Sequence, residues 1–253
     1  MFPLTHSYFA EKIWKLVPGL PYDSSLLALG CTFPDVVVAG FLEHGHTHQD
    51  TGRMVEFFKS RAPGQLTFAL GVLTHGSAPP GLDYYGDEQY LDYERGYCFE
   101  KARPIINDVI ACCRIPEELG WWKAHNFIEM AIEVELGERF PGYQKQLYEA
   151  YHDRETINSV GSVLGEFFGK PAIQLVNSLT FFTGLIAIES ITATELAQKY
   201  SLQVETKHNI GIDEAGVAAI INHARKLIAD DFWQFEQYVT DRLVELMKAH
   251  TKT

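Results

Sequence analysis

Residues 213–250 read DEAGVAAIINHARKLIADDFWQFEQYVTDRLVELMKAH. Val217, Ile220, Ile221, Ala224, Leu227, Ile228, Phe232, Phe235, Val239, Leu243 and Leu246 recur three or four positions apart, the period of a helix with one core-facing side. The spacing predicts a long helix from Asp213 to about His250, with a break at Asp230-Asp231. The same period runs upstream. It predicts helices over Ser7 to Leu16, Met54 to Ser60, Gln65 to Thr74, Tyr93 to Cys113 and Pro116 to Glu138, then over Tyr143 to Tyr151, Thr156 to Phe168 and Pro171 to Ile188. Helix punctuation falls between them: Pro18 ends the first, Asp23 or Ser24 can cap a second short one, and Ala62-Pro63-Gly64 separates the next two. Two stretches read differently. Val36-Val37-Val38 is β-branched and reads as extended, and Ser201 to Ile212 reads as loop or a short strand. The fold class is therefore all-α, a multi-helix bundle. No repeat or Ser/Gly-rich linker divides residues 1–253, so one helical domain is expected.

Composition narrows the function classes. The 253 residues carry 21 Lys and Arg against 33 Asp and Glu, a formal net charge of −12. A chain this acidic lacks the positive field that binding to phosphate backbones or anionic bilayers relies on, so nucleic acid is not an expected partner. The longest apolar run, Leu179 to Ile188, covers ten positions and includes two Thr and a Gly, too short for a membrane span. Stable membrane insertion is not expected. The N-terminus shows no export signal, which makes the cytoplasm the expected compartment. Cys31, Cys98, Cys112 and Cys113 form no C-x-x-C pair and read as reduced core thiols.

The chemical signal lies in the histidines. Six of the ten, at 6, 44, 46, 48, 75 and 125, fall in the first half of the chain, interleaved with Asp35, Asp83 and Glu129. Imidazole and carboxylate are the common protein ligands of zinc and similar ions. His125-Asn-Phe-Ile-Glu129 sets an imidazole and a carboxylate four residues apart, on one face of a predicted helix, so one helix can donate two ligands. Glu133 and Glu135 nearby read as solvated helix charges. Leu70-Gly-Val-Leu-Thr-His75 is an apolar helix ending in a histidine, either a ligand or a cap on the last carbonyls. The turn at Pro79-Pro80-Gly81 can then swing Asp83 or Asp87 back beside it. Glu43-His-Gly-His-Thr-His48 packs three alternating histidines into a loop; one or two can reach one centre, His48 first, then His44, with His46 last. Asp35 follows a proline-stiffened turn as a ligand or a cap. His6 alone would be an ordinary surface residue.

Thr5-His6-Ser-Tyr-Phe-Ala, Leu29-Gly-Cys-Thr-Phe-Pro34-Asp35, His48, Leu70 to His75, Asp83 and His125 to Glu129, in this order, resemble the zinc-dependent phospholipase C family, which is related in fold to the S1/P1-type nucleases. The resemblance covers about residues 1–140, the metal-site half, and leaves 141–253 to complete the core. It implies an all-helical fold, a zinc cluster, and hydrolysis of phosphate esters by metal-activated water. Under it, His6 is an N-terminal metal ligand. Asp35 is a ligand or the catalytic group that orients the attacking water. His48 and His75 complete that metal, Asp83 is a bridging carboxylate, and His125 with Glu129 holds another ion. One to three zinc ions are expected, and Ni, Fe or Mn suit the same donors. The substrate would be a small phosphoester or a phospholipid headgroup. Two positions depart from the family pattern: Pro79 stands where a carboxylate would, and no histidine lies between 75 and 125. A phosphohydrolase of the HD type, using His152-Asp153, and a non-catalytic metal-binding scaffold are the competing expectations.

Overall fold

Proline at the first helical position costs no hydrogen bond, because that N–H would have no partner in the helix. Pro3 accordingly starts α1 (Pro3–Leu16), four residues before the predicted start. This computed structural model describes residues 1–251, without the side chains of Lys207 and His208. Asp23 caps α2 (Ser24–Thr32), accepting a hydrogen bond from the Leu26 amide at 2.9 Å. The valine run is not extended. Pro34 opens a 3-10 turn over Phe33–Ala39 that buries Val36 and stops at left-handed Gly40. Next come the short α3 (His44–His48), α4 (Thr51–Arg61) and α5 (Leu66–His75). A single π-helical turn, Tyr84–Glu88, precedes α6 (Tyr97–Ala102).

The long helix expected from Tyr93 to Cys113 is interrupted instead. Pro104 forces a 3-10 turn at Arg103–Ile105 between α6 and α7 (Ile106–Cys113). The central α8 (Gly120–Arg139) follows. The second half comprises α9 (Pro141–His152), α10 (Arg154–Phe168), α11 (Ala172–Leu185), α12 (Ala193–His208), α13 (Glu214–Ile228) and α14 (Phe232–Thr251). The break at Asp230-Asp231 is present between α13 and α14. The loop expected over Ser201 to Ile212 is helical as far as His208. Thr192 caps that helix through the Glu195 amide, and Tyr200 and Val204 are buried one turn apart.

Among the described residues every regular element is helical, so the all-α expectation holds. None of these helices is long and apolar enough to cross a membrane. One hydrophobic cluster runs from Met1 to Met247 and draws on both halves of the chain. α1, α5 and α8 are buried on nearly every side, and α9, α13 and α14 pack around them. Side chains on such helices are held by packing on all faces, a rigid base for a polar site.

α2 and α5 meet backbone to backbone. A Cβ on Gly30 would collide with the Phe68 carbonyl, and one on Gly71 would lie 2.8 Å from the Cys31 amide nitrogen. This contact brings the turn after α2 beside the end of α5. Gly30→Ala is expected to lose about 2 kcal/mol or more, since the obstacle is backbone and cannot rotate away. Urea unfolding monitored by circular dichroism measures it, and an unchanged midpoint would contradict the packing.

Candidate metal centre

Four of the predicted residues meet at the end of α5. The 3-10 turn after α2 carries Asp35, α3 ends in His48, and α5 ends in His75. After Pro79-Pro80 the chain turns back through a hydrogen bond from the Gly81 amide to the Gly76 carbonyl, 2.7 Å, and delivers Asp83. His75 Nε2 lies 3.0 Å from Asp83 Oδ2 and 3.8 Å from Asp35 Oδ1. His48 Nε2 lies 3.6 Å from Asp83 Oδ2 and 3.9 Å from Asp35 Oδ1. A tetrahedral ion with bonds of about 2.1 Å needs ligand atoms about 3.4 Å apart, so four donors at these separations fit one zinc-sized cation.

Tautomers sharpen that fit. His75 Nδ1 is 2.7 Å from the Cys31 carbonyl, an acceptor only, so Nδ1 carries a proton. In the neutral ring, Nε2 then presents its lone pair to the lone pairs of Asp83 Oδ2. That arrangement is repulsive unless a cation or a second proton lies between them. Burial opposes that second proton, but the charges of Asp83 and Asp35 outweigh burial and raise the His75 pKa. His48 likewise sets Nδ1 on its own α3, 3.2 Å from the His44 carbonyl and 2.8 Å from Thr47 Oγ1, and burial lowers its pKa to about 3. A ring oriented through one nitrogen with the other aimed inward is the usual arrangement of a metal-bound histidine. His75 therefore does not cap α5 with its imidazole.

A second group forms opposite. His125 and Glu129, one turn apart on α8, meet Asp87 from the π-helical turn, with their ligand atoms within 4.8 Å of one another. Burial lowers His125 to about 4 and pushes Glu129 and Asp87 each up to about 7. His125 stacks on Phe99 with ring centroids 4.2 Å apart. Arg95 covers the Phe99 ring, its guanidinium carbon 3.7 Å from the centroid. The two groups are joined by the chain start. The Met1 amine lies 2.9 Å from Asp83 Oδ1 and 3.2 Å from Glu129 Oε1, and the Met1 side chain fills a socket over Gly86, where a Cβ would meet its Cε at 2.8 Å. His6 is buried, contrary to its surface expectation. Its Nε2 is 3.3 Å from Asp83 Oδ1, and its ring stacks on His75 at 3.6 Å. Asp83 thus turns one oxygen to His48 and His75 and the other to His6 and Met1.

All seven residues singled out in the sequence, His6, Asp35, His48, His75, Asp83, His125 and Glu129, are brought into one cluster. Among the described residues, eight buried side-chain polar atoms make no hydrogen bond, and six belong to this cluster: both His6 nitrogens, His75 Nε2, Asp87 Oδ1, His125 Nδ1 and Glu129 Oε1, of which His6 Nε2, His75 Nε2 and Glu129 Oε1 have only ion-pair contacts, the closest to Asp83 or the Met1 amine. Buried polar groups are ordinarily paired, and orphans concentrated in one place with four carboxylates are what bound cations would satisfy. Asp87 is the residue that sequence reasoning undervalued. Its spacing of four from Asp83 was the available signal, and it stands in the stretch between 75 and 125 that has no histidine.

A cleft of about 230 Å³ opens onto the cluster and reaches Asp35, His48, Asp83, Asp87, His125 and Glu129. Asp35 and Asp87 are the half-buried members, the Asp35 side chain 27% exposed against 10% for Asp83. Val37, Val38, Trp122, Phe182, Ile186 and Val204 give the cleft apolar walls, so α11 and α12 of the second half complete it. Tyr84, Tyr85 and Trp121 do not line it, whereas Trp122 does. His44 also lines the cleft and stacks on His48 at 3.8 Å, whereas His46 does not reach it. His152 and Asp153 lie outside the cluster: His152 is exposed and stacks on Tyr148, and Asp153 caps α10 through the Thr156 amide. Glu133 is not solvated. It is 1% exposed and bonded to the first turn of α1. The four cysteines are free thiols. The chain matches no protein-family model, no curated protein and no solved structure.

Proposed function

We propose that the chain is a metal-dependent hydrolase of phosphate esters whose centre holds zinc or a similar divalent ion. The observation that carries this reading is the concentration of orphaned buried nitrogens and carboxylate oxygens in one cluster at the floor of an open cleft. Asp35, His48, His75 and Asp83 would hold one ion, Asp87, His125 and Glu129 a second, and His6 would contribute from the far oxygen of Asp83. Such ions supply Lewis acidity toward phosphoryl oxygens and lower the pKa of water.

The chain's own groups divide the remaining work. Asp35, a half-buried carboxylate that lines the cleft, orients the attacking water and accepts its proton. Neutral His48 and His125 are ready donors, with no proton to lose at neutral pH. The Cys31 and His44 carbonyls fix the rings of His75 and His48. The apolar walls exclude water around the ester and receive its organic part, and the cleft suits a phosphoryl group with a small substituent or the headgroup end of a lipid. A purely structural metal would be closed off by protein on all sides, whereas the exposure of Asp35 and the open cleft favour access.

Hydrolysis of bis(p-nitrophenyl) phosphate tests the reading. Activity is expected to disappear with a strong chelator and return on adding zinc. Bound zinc without any hydrolysis of this or other phosphoesters would instead favour the scaffold.

A further inference from the structure

The first turn of α1 has no local cap. Phe2 precedes it and offers no side-chain acceptor, yet α1 carries His6 and the chain start into the centre. Helix starts leave amides that need partners from outside the helix. Pro3 has none, and the His6 amide reaches the Phe2 carbonyl at 3.2 Å. The other two are met from 129 and 128 residues away: the Leu4 amide donates to Glu133 Oε1 at 2.7 Å and the Thr5 amide to Glu133 Oε2 at 2.8 Å. Thr5 Oγ1 donates to Oε2 as well, at 2.7 Å. The carboxyl group thus replaces a cap residue, its two oxygens accepting from the amides at the positive end of the helix dipole.

The position of this carboxylate on α8 gives the contact its consequence. His125, Glu129 and Glu133 recur every four residues and share one face of the helix. That face presents two candidate ligands to the centre and, one turn further on, grips the helix that brings His6 and Met1. We propose that Glu133 is a positioning residue that locks the first turn of α1 to the ligand face of α8, setting His6 and the Met1 amine against Asp83. The proposal rests on the metal reading above and assigns Glu133 no contact with ion or substrate.

Glu133→Gln keeps the volume but can accept from only one of the two amides, since its NH2 group would face the other. The test is a zinc titration of the chelator-treated full chain against a chromogenic competitor, with helix content and Tm followed in parallel. Glu236→Gln is the control. Glu236 is also a buried carboxylate bound to α1, through Tyr8 Oη at 2.9 Å and Lys12 Nζ, but it does not touch the first turn. Glu133→Gln is expected to keep its helix content and weaken zinc binding about tenfold or more, the usual effect of losing a group that orients ligands. Glu236→Gln is expected to lower Tm without changing zinc affinity. Thr5→Val, which removes the hydroxyl contact alone, is expected to fall between wild type and Glu133→Gln.

Wild-type zinc affinity in Glu133→Gln would overturn the proposal, as would an equal loss in Glu236→Gln, which would mean general loosening of α1. If the wild-type chain takes up no zinc, the metal reading falls and this proposal falls with it. If wild type and Glu133→Gln take up zinc equally, only this proposal falls.

Discussion

Asp83→Asn is expected to weaken zinc binding about 100-fold or more while leaving helix content unchanged. Loss of a group that merely orients a ligand lowers metal affinity 10–100-fold, and Asp83 stands to lose more because it faces both sides of the cluster. Its Oδ2 meets His48 and His75, its Oδ1 meets His6 and the Met1 amine, and it is buried with all of them. An amide supplies one neutral oxygen where the carboxylate supplied two charged ones, so both sides weaken together. Competition with a chromogenic chelator measures the change. His46→Ala, two residues from the nearest donor in sequence yet outside the cleft, is expected to bind as wild type does. An Asp83→Asn protein that retained wild-type affinity would remove Asp83 from the centre.

Glu129→Gln is expected to move stability in opposite directions with and without zinc. Burial raises the Glu129 pKa from its ordinary 4.5 to about 7 in the metal-free chain. The folded state then holds this proton more tightly than the unfolded state. The contribution of the group to stability is complete below pH 4.5 and is lost as pH rises through about 7. At pH 8 the ionised carboxylate destabilises the metal-free fold by up to ~3 kcal/mol. Glutamine carries no such charge, so the metal-free variant is expected to melt about 5–10 °C higher than wild type at pH 8. With zinc present the order reverses, because wild type gains the free energy of ion binding and the variant gains less of it. Thermal melts at pH 8, with chelator and with zinc, show the crossing. A variant less stable than wild type under both conditions would contradict a buried carboxylate waiting for a cation.

Local pattern carried much of this site. His125 and Glu129 were legible because a helix repeats its face every four residues, and His75 because the apolar run before it ends at Gly76. What local pattern could not carry was partnership across the chain. Glu133 looks like any charged helix residue, and what buries it is the first turn of α1, distant in sequence. His6 lacks any local mark, since its burial follows from α8 and α5 closing over it. Val36 to Val38 favour strand by propensity, but Pro34 and left-handed Gly40 bound a stretch too short to pair. The end of α12 is weak in helix propensity and holds through the Thr192 cap and the burial of Tyr200 and Val204 against the cleft side. The apolar walls from α11 and α12 were invisible for the same reason: core residues and cleft residues look alike until the fold says which side faces the opening.

The central claim is that Asp35, His48, His75 and Asp83, with Asp87, His125 and Glu129, surround bound cations. Crystals of the full chain grown with zinc, measured on both sides of the zinc absorption edge, test it most directly. The account predicts anomalous peaks inside both groups, each about 2 Å from its donor atoms. Full zinc occupancy confined to exposed histidines such as His46 or His152, with neither group holding a peak, would contradict it.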